Sequence, residues 1–356
     1  MRLSPSTCGA LLTLAVFTVP AEAALSFGDF VTSAAISAVE GQNQTIGFAY
    51  AGNKFVGSVY FGTNNNQLYS TDLSGGGVAK FGAPITGFTG EIYVTASLGI
   101  GGFGPNRDIY TGSEASGAVW RISNDGTSQA QFAGGGGQIA GGVRSLAFDP
   151  YGLYGNQLIV ATNAGNVYTV SNTGVATLLA NVGEDAEGLS FAPQTFGTFA
   201  KGTLFVASEG SGSLRAISPG GVKTSIIGPG SGIAGIGGAE MVSFVPLNLG
   251  SSGNPVEGFY AAAFPNNIQK ADASQFAPYL GDAIITSETG HGVFDVHYNG
   301  STFVVTQIGT FPAQPEDGIF VTADIVQNPV PEPETYALML AGFATMGWAM
   351  RRRRRA

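Results

Sequence analysis

Acidic residues recur in this chain at intervals far too long for any local structure to explain. Glu40, Glu91, Glu187 and Glu240 each open a similar stretch of sequence, Arg144 opens another at the matching place, and Asp317 opens a last, short one. A second set lies further into the same stretches: Glu114 in "GSEASG", Glu209 in "SEGSG" and Glu288 in "SETGHG", with Asn163 at the equivalent point of "TNAGN". Carboxylates brought together are unfavourable unless a cation, an arginine or bound protons neutralise them. Donors that are all oxygen suit a hard cation such as Ca²⁺. Glu91, Arg144, Glu187, Glu240, Asp317, Glu209 and Glu288 are therefore candidates for a metal or cationic-ligand site. Glu187, Glu240 and Asp317 would stand at its centre, with Arg144 as internal counter-ion. The competing reading is that these side chains cap turns or bond the backbone of the adjoining repeat. None of the Asp-rich calcium-loop spacings is present.

Other chemistry is harder to place. His291 and His297 are the only histidines, and Glu288-x-x-His291 sits in a hairpin rather than on a helix. At strand period the two imidazoles share a face if no bulge intervenes, but zinc would still need ligands from elsewhere. Ordinary turn and core roles suit them better. "GSGSL" at 210–214 ends in Leu214 and lies in a β-turn, so it is no nucleophile elbow. "GIGGFG" at 99–104 lacks the dinucleotide spacing and the βαβ setting, and reads as a connector.

The elements that carry these residues are repeated. "RSLAFDPYGLYGNQLIVATNAGNVYTVSNTGVATLL" from Arg144 runs parallel to "EGLSFAPQTFGTFAKGTLFVASEGSGSLRAISPGGVKTSII" from Glu187. Each gives an apolar strand, a Pro/Gly/aromatic connector, and three more strands joined by tight turns. Further copies begin at Glu91, more loosely at Glu40, and at Glu240, while 281–309 matches the second half of the pattern. Four strands per unit of about 40–50 residues is the mark of a β-propeller. Six blades are favoured, with five and seven as alternatives. The 240–317 interval is too long for one plain unit and holds an insertion or a second partial blade around "VEGFYAAAFPNNIQKADAS". The lone strand from Asp317 suggests that the N- and C-terminal strands share a blade. A β-sandwich would leave the repeat unexplained. In a propeller the start of each inner strand and the turn between the second and third strands lie on one face, so the repeat predicts an acidic mouth to the central channel. At repeat level, across roughly residues 40–326, the pattern resembles six-bladed propellers of the gluconolactonase-like and NHL-like kind. The resemblance implies a fold; no catalytic motif of those families can be placed on these residues.

The two ends speak of location. Arg2, the apolar "ALLTLAVFTV" and "AEA" at 21–23 make residues 1–23 a signal peptide. Cys8, the only cysteine, falls inside it, so the exported protein would have no disulfide and no thiol. The propeller is expected over 24–326 and a Pro-rich linker over 327–335. An apolar segment at 336–350 follows, short of the roughly 20 residues of a full span. A basic tail over 351–356 carries Arg351, Arg352, Arg353, Arg354 and Arg355. Arginines stay on the cytoplasmic side, which makes the apolar segment a stop-transfer anchor in the inner membrane. Val330-Pro331-Glu332-Pro333, the apolar segment and the arginines occur in the order of the PEP-CTERM sorting signal, which this end resembles. That resemblance implies recognition and processing by an exosortase-type membrane enzyme, and association with an exopolysaccharide matrix.

Residues 24–330 carry nine lysines and arginines against 21 aspartates and glutamates, a net of −12. Such a surface repels nucleic acid, which is not an expected partner. Two functions remain in view. One is an exported binding or structural protein of the extracellular matrix, cell surface or outer envelope, with a matrix polysaccharide or protein as ligand. The other is a Ca²⁺-dependent hydrolase such as a lactonase, in which the ion polarises a carbonyl and a carboxylate acts as base.

Overall fold

The computed structural model describes residues 24–62, 66–104 and 107–323. The predicted signal peptide, the linker with its Val330–Pro333 motif, the apolar segment 336–350 and the basic tail lie outside these residues. Among the described residues no helix is long and apolar enough to cross a membrane.

The chain begins with β1 (Gly28–Val31) and one short helix, α1 (Ser33–Glu40). The Thr32 hydroxyl accepts from the Ala35 N–H at 3.3 Å, and Gly41, at φ +76°, ends the helix with its N–H on the Ser37 carbonyl. Glu40 therefore closes a helix instead of opening an inner strand, as the repeat had suggested. Its carboxylate pairs with Lys80 at the rim of the first blade.

Four blades follow in sequence order, each a four-stranded antiparallel sheet. The first is β2 (Thr45–Tyr50), β3 (Phe55–Val59), β4 (Asn66–Thr71) and β5 (Ala79–Ile85). The second is β6 (Ile92–Ala96), β7 (Ile109–Ser113), β8 (Ser116–Ile122) and β9 (Gln129–Ala133). The third is β10 (Val143–Phe148), β11 (Leu158–Thr162), β12 (Asn166–Val170) and β13 (Ala176–Asn181). The fourth is β14 (Gly188–Phe191), β15 (Leu204–Ser208), β16 (Ser213–Ile217) and β17 (Lys223–Ile227).

The fifth blade is interrupted. After β18 (Ala239–Phe244) the chain crosses over, lays the hairpin β19 (Gly258–Phe264) and β20 (Ile268–Asp272) into the sixth sheet, and returns. It then completes the fifth blade with β21 (Ala283–Ser287), β22 (Gly292–Tyr298) and β23 (Phe303–Thr310). The long interval thus holds a partial blade. β24 (Gln314–Val321) supplies the inner strand of the sixth sheet, whose order outward is β24, β19, β20, β1. First and last strands share a blade, as expected, and the blades number six. The inner strands β2, β6, β10, β14, β18 and β24 pack on one another in that order, and β24 packs back on β2.

Blade stacking explains the apolar runs. β11 ("LIVAT") and β15 ("LFVAS") are buried throughout because both faces meet a neighbouring blade, whereas outer strand β13 ("ATLLAN") has residues open to water. The closing blade is held by rings: Phe48 and Phe55 stack at 5.0 Å, and Tyr260 of β19 lies 4.8 Å from both Phe55 and Phe30 of β1. Each such pair adds about 0.5–1.5 kcal/mol beyond its buried area. Near the hub the backbones approach closely. A Cβ on Gly188 would collide with the Val242 N–H of the next inner strand, so only glycine fits there.

Candidate functional site

The second-to-third turns return to the starts of the inner strands, as the repeat predicts. The Glu114 N–H donates to the Glu91 carbonyl at 3.0 Å, the Asn163 N–H to the Gly142 carbonyl at 3.0 Å, and the Glu288 N–H to the Gly238 carbonyl at 2.8 Å. Three of the inner strands with irregular register carry residues of this mouth. Ladder register shifts between Val143 and Ser145, which frees Arg144, and between Ala239 and Val242, which frees Glu240. A third shift in the β19–β24 ladder falls where Glu316 and Asp317 sit. Bulges re-aim side chains, and here they coincide with residues of the acidic mouth.

Arg144, buried and 5.5 Å over the Tyr93 ring, is the only cation at this mouth among the described residues. It pairs with Glu91 and Glu187, and lies 3.3 Å from both Glu114 and Asp185. The Tyr93 hydroxyl donates to Glu91 at 2.6 Å. One guanidinium cannot neutralise four carboxylates. Glu91 accordingly feels opposed forces: burial first, then the charges of Glu240, Glu114 and Glu288, push it up to about 8 against the Tyr93 bond, while the ion pair favours its charged form.

Among the described residues the other half of the mouth holds no cation of its own, and only the Arg144 charge reaches Glu240 and Glu316. Glu240 meets the Glu316 carboxyl and Glu288 meets the Glu209 carboxyl. Burial and neighbouring carboxylates raise Glu240 and Glu288 to about 7, and hold Glu316 well above the usual carboxylate range. Gln314 bridges the two pairs, donating to Glu316 at 2.9 Å and to Glu288. Asp317 retains some contact with the channel but is walled in by protein. Burial and the Glu240 charge lift it to about 8, against the pull of backbone N–H groups of Gly318, Phe48 and Val94.

Glu91, Arg144, Glu187, Glu240, Asp317, Glu209 and Glu288 are thus brought to one mouth. Asp317 is the fourth residue of its strand and not the first. Asp185, Glu316, Tyr93 and Gln314 were missed. Asp185 and Glu316 each lie within two residues of a candidate, Glu187 and Asp317. Glu40 is elsewhere, and the histidines part company: His291 precedes β22 in a short turn, whereas His297 is near its far end, with Nδ1 3.6 Å from Asp295. "GSGSL" forms the β15–β16 turn, where the Ser211 hydroxyl donates to Glu184. "GIGGFG" lies in the β6–β7 connector. Among the described residues no three His, Asp or Glu side chains are grouped to hold a metal ion.

Behind the acids a channel of about 240 Å³ runs past Ser145, Ser190 and Ser243. It reaches Leu98, Pro246 and Phe320, which also line a wider cavity of about 700 Å³ at the other mouth. Three inner strands end there in the same F-x-P sequence, Phe148–Pro150, Phe191–Pro193 and Phe244–Pro246, and all three prolines line that cavity.

Residues 329–355 match the PEP-CTERM protein-sorting motif. Among curated proteins none matches the chain in sequence. Solved structures share its architecture. A chain of a nidogen/laminin complex is 12% identical, with 78% of this chain and 85% of that one covered, at a TM-score of 0.50. A catalytically inactive virginiamycin B lyase from Staphylococcus aureus with quinupristin is 11% identical, with 82% and 78% covered, at 0.50. A putative gluconolactonase is 11% identical, with 84% of each chain covered, at 0.49. At such identity the likeness to the first two bears on the fold alone and leaves ligand and reaction to the site. The sorting motif implies export, membrane association before sorting, and exosortase processing, so this chain is a six-bladed β-propeller bearing a PEP-CTERM sorting motif.

Proposed function

We propose that the protein is a non-enzymatic propeller that binds a ligand of the extracellular matrix, cell surface or outer envelope, and that its acidic mouth fastens blades together. One observation supports this reading: among the described residues the hub carboxyls turn to partners on other blades. Glu91, Glu114, Asp185 and Glu187 turn to Arg144, Glu240 to Glu316, and Glu209 to Glu288. Asp317 faces backbone N–H groups of two other blades. Contacts of this kind, made across blade boundaries, suit side chains that fasten neighbouring blades. The hydrolase reading draws on a different observation, that Glu240 and Glu288 sit near neutrality, where acid–base catalysts work best.

Bound-metal analysis of the purified protein, with turnover of simple lactones and esters, separates the two. The binding reading expects no stoichiometric Ca²⁺, no turnover, and retention on matrix polysaccharide that survives Glu187→Gln and Glu240→Gln. Stoichiometric metal together with turnover abolished in both variants would make the protein a hydrolase.

A further inference from the structure

The second mouth of the channel has the opposite character. Of the nine basic residues in 24–330, five are ion-paired: Lys80, Arg121, Arg144, Arg215 and Lys270. Lys54 and Lys223 donate to backbone carbonyls of Asn124 and Asn181. Arg107 and Lys201 remain, without a carboxylate or a hydrogen-bond acceptor for the side chain among the described residues, and both line the 700 Å³ cavity.

Arg107 is the telling one, because it is only 9% exposed. Burial works against its charge, and its one titratable neighbour is the Tyr50 hydroxyl, which donates to the Gly52 carbonyl at 2.6 Å. A guanidinium nevertheless stays protonated in proteins. A buried charge with no partner is expensive, and in a chain with 21 body carboxylates a partner was available in composition. Its backbone is also held at φ +48°, a conformation that a side-chain-bearing residue adopts only under constraint. Lys201 is exposed and stands 4.8 Å over the Tyr151 ring at the same cavity.

The rest of the lining is apolar: Leu98, Ile100, Leu247, Phe320 and the three F-x-P prolines. Asn248 and Thr322 are the only uncharged polar side chains apart from Tyr151. A hydroxyl-rich ligand would find few partners here, whereas an apolar body would shed water against prolines and rings. The volume lies within the range of small-molecule sites, about 300–1,000 Å³.

We propose that this mouth binds a small organic carboxylate with an apolar body, its carboxylate on Arg107 and Lys201 and its body over Leu98, Leu247 and Phe320. The inference is independent of the acidic mouth and of the function proposed for it. Titration calorimetry on the full exported protein tests it with decanoate and 1-naphthylacetate as probes, and decanol and naphthylethanol as neutral counterparts.

The expected result is saturable binding of at least one acid, at least about tenfold tighter than its alcohol, as a charge-assisted contact provides. Binding should weaken about tenfold in Arg107→Gln, less in Lys201→Gln, and with rising salt. Preference for decanoate identifies an acyl chain, and preference for naphthylacetate an aromatic acid. Lys201 is exposed, so Lys201→Gln remains informative if Arg107→Gln fails to fold. Absence of saturable binding, equal affinity for acid and alcohol, or undiminished binding in folded variants overturns the proposal.

Discussion

Glu240→Gln offers the sharpest test of how the acidic mouth is neutralised. The Glu240–Glu316 and Glu209–Glu288 contacts are attractive only if each pair holds a proton. Each of these two pairs should therefore keep one proton near pH 6, besides those on Glu91 and Asp317, that unfolded carboxyls, with pKa about 4, have released. The sign follows from linkage. Groups raised on folding contribute stability that is complete below the unfolded pKa and lost as pH climbs through the folded one, about 7 for Glu240 and Glu288. A fully retained proton tilts stability by about 1.4 kcal/mol per pH unit, and with release centred near pH 7 the two pairs give a fall of about 2 kcal/mol between pH 6 and 7. That is an upper figure, because the Glu209–Glu288 pair is half-buried and water screens it.

A glutamine at 240 donates its amide to Glu316 without needing a proton. The variant should match the wild type near pH 5, titrate with a shallower slope, and exceed the wild type by about 1–2 kcal/mol at pH 8. Urea unfolding at half-unit steps from pH 5 to 9, followed by fluorescence, measures all three. A wild-type stability that is flat or rising from pH 5.5 to 8 refutes the shared-proton argument, and so does a variant less stable than wild type at pH 8.

Three further outcomes follow from the geometry. Arg144→Gln, which strips the counter-ion from Glu91, Glu114, Asp185 and Glu187, should cost about 3–5 kcal/mol at pH 7.5 and visibly less at pH 5, by urea midpoint. Tyr260→Ala should lower stability by about 3–5 kcal/mol because it removes the ring that joins β1 to the first blade. Tyr260→Phe, losing only the bond to the Val256 carbonyl, should cost about 1 kcal/mol. Glu332→Ala within the sorting motif should leave the C-terminal tail on the exported protein, read by mass spectrometry of its C-terminus.

Legibility of the sequence tracked the constraint behind each feature. Blade count and the shared face of Glu91, Glu187, Glu209 and Glu288 could be foreseen, because a propeller repeats one register and turns at the same phase stay together. α1 could not, since "SAAISAVE" buries only Ile36 and depends on Thr32 and Gly41 at its ends. Glu316 escaped because adjacent residues in an ideal strand face opposite ways, and choosing Asp317 seemed to exclude its neighbour, whereas Asp185 lies in the turn before β14, outside the strand pattern. The bulge in β24 cancels that rule, and bulges leave little trace in side-chain pattern. The Arg107–Lys201 mouth was missed for another reason. It is lined from the connectors after the inner strands, where F-x-P looked like a stop signal and Arg107 is followed in sequence by an aspartate, Asp108, that turns instead to Arg121.

The two mouths make sense together once the links around the ring are followed. Arg144 joins the third blade to the second through Glu91 and to the fourth through Glu187. Glu209 and Glu288 join fourth to fifth, Glu240 and Glu316 fifth to sixth, and Asp317 reaches from the sixth to Phe48 of the first and Val94 of the second. The circuit is complete, so polar groups do at the hub what disulfides would do in a smaller exported protein, for this chain has no cysteine past Cys8. A mouth whose charges all close on one another has little left for a ligand. At the opposite end Arg107 and Lys201 have no carboxylate partner among the described residues, and β24, running from the acids towards Thr322, brings the chain to that same end. The described chain therefore ends, at Ala323, beside the mouth that Arg107 and Lys201 line.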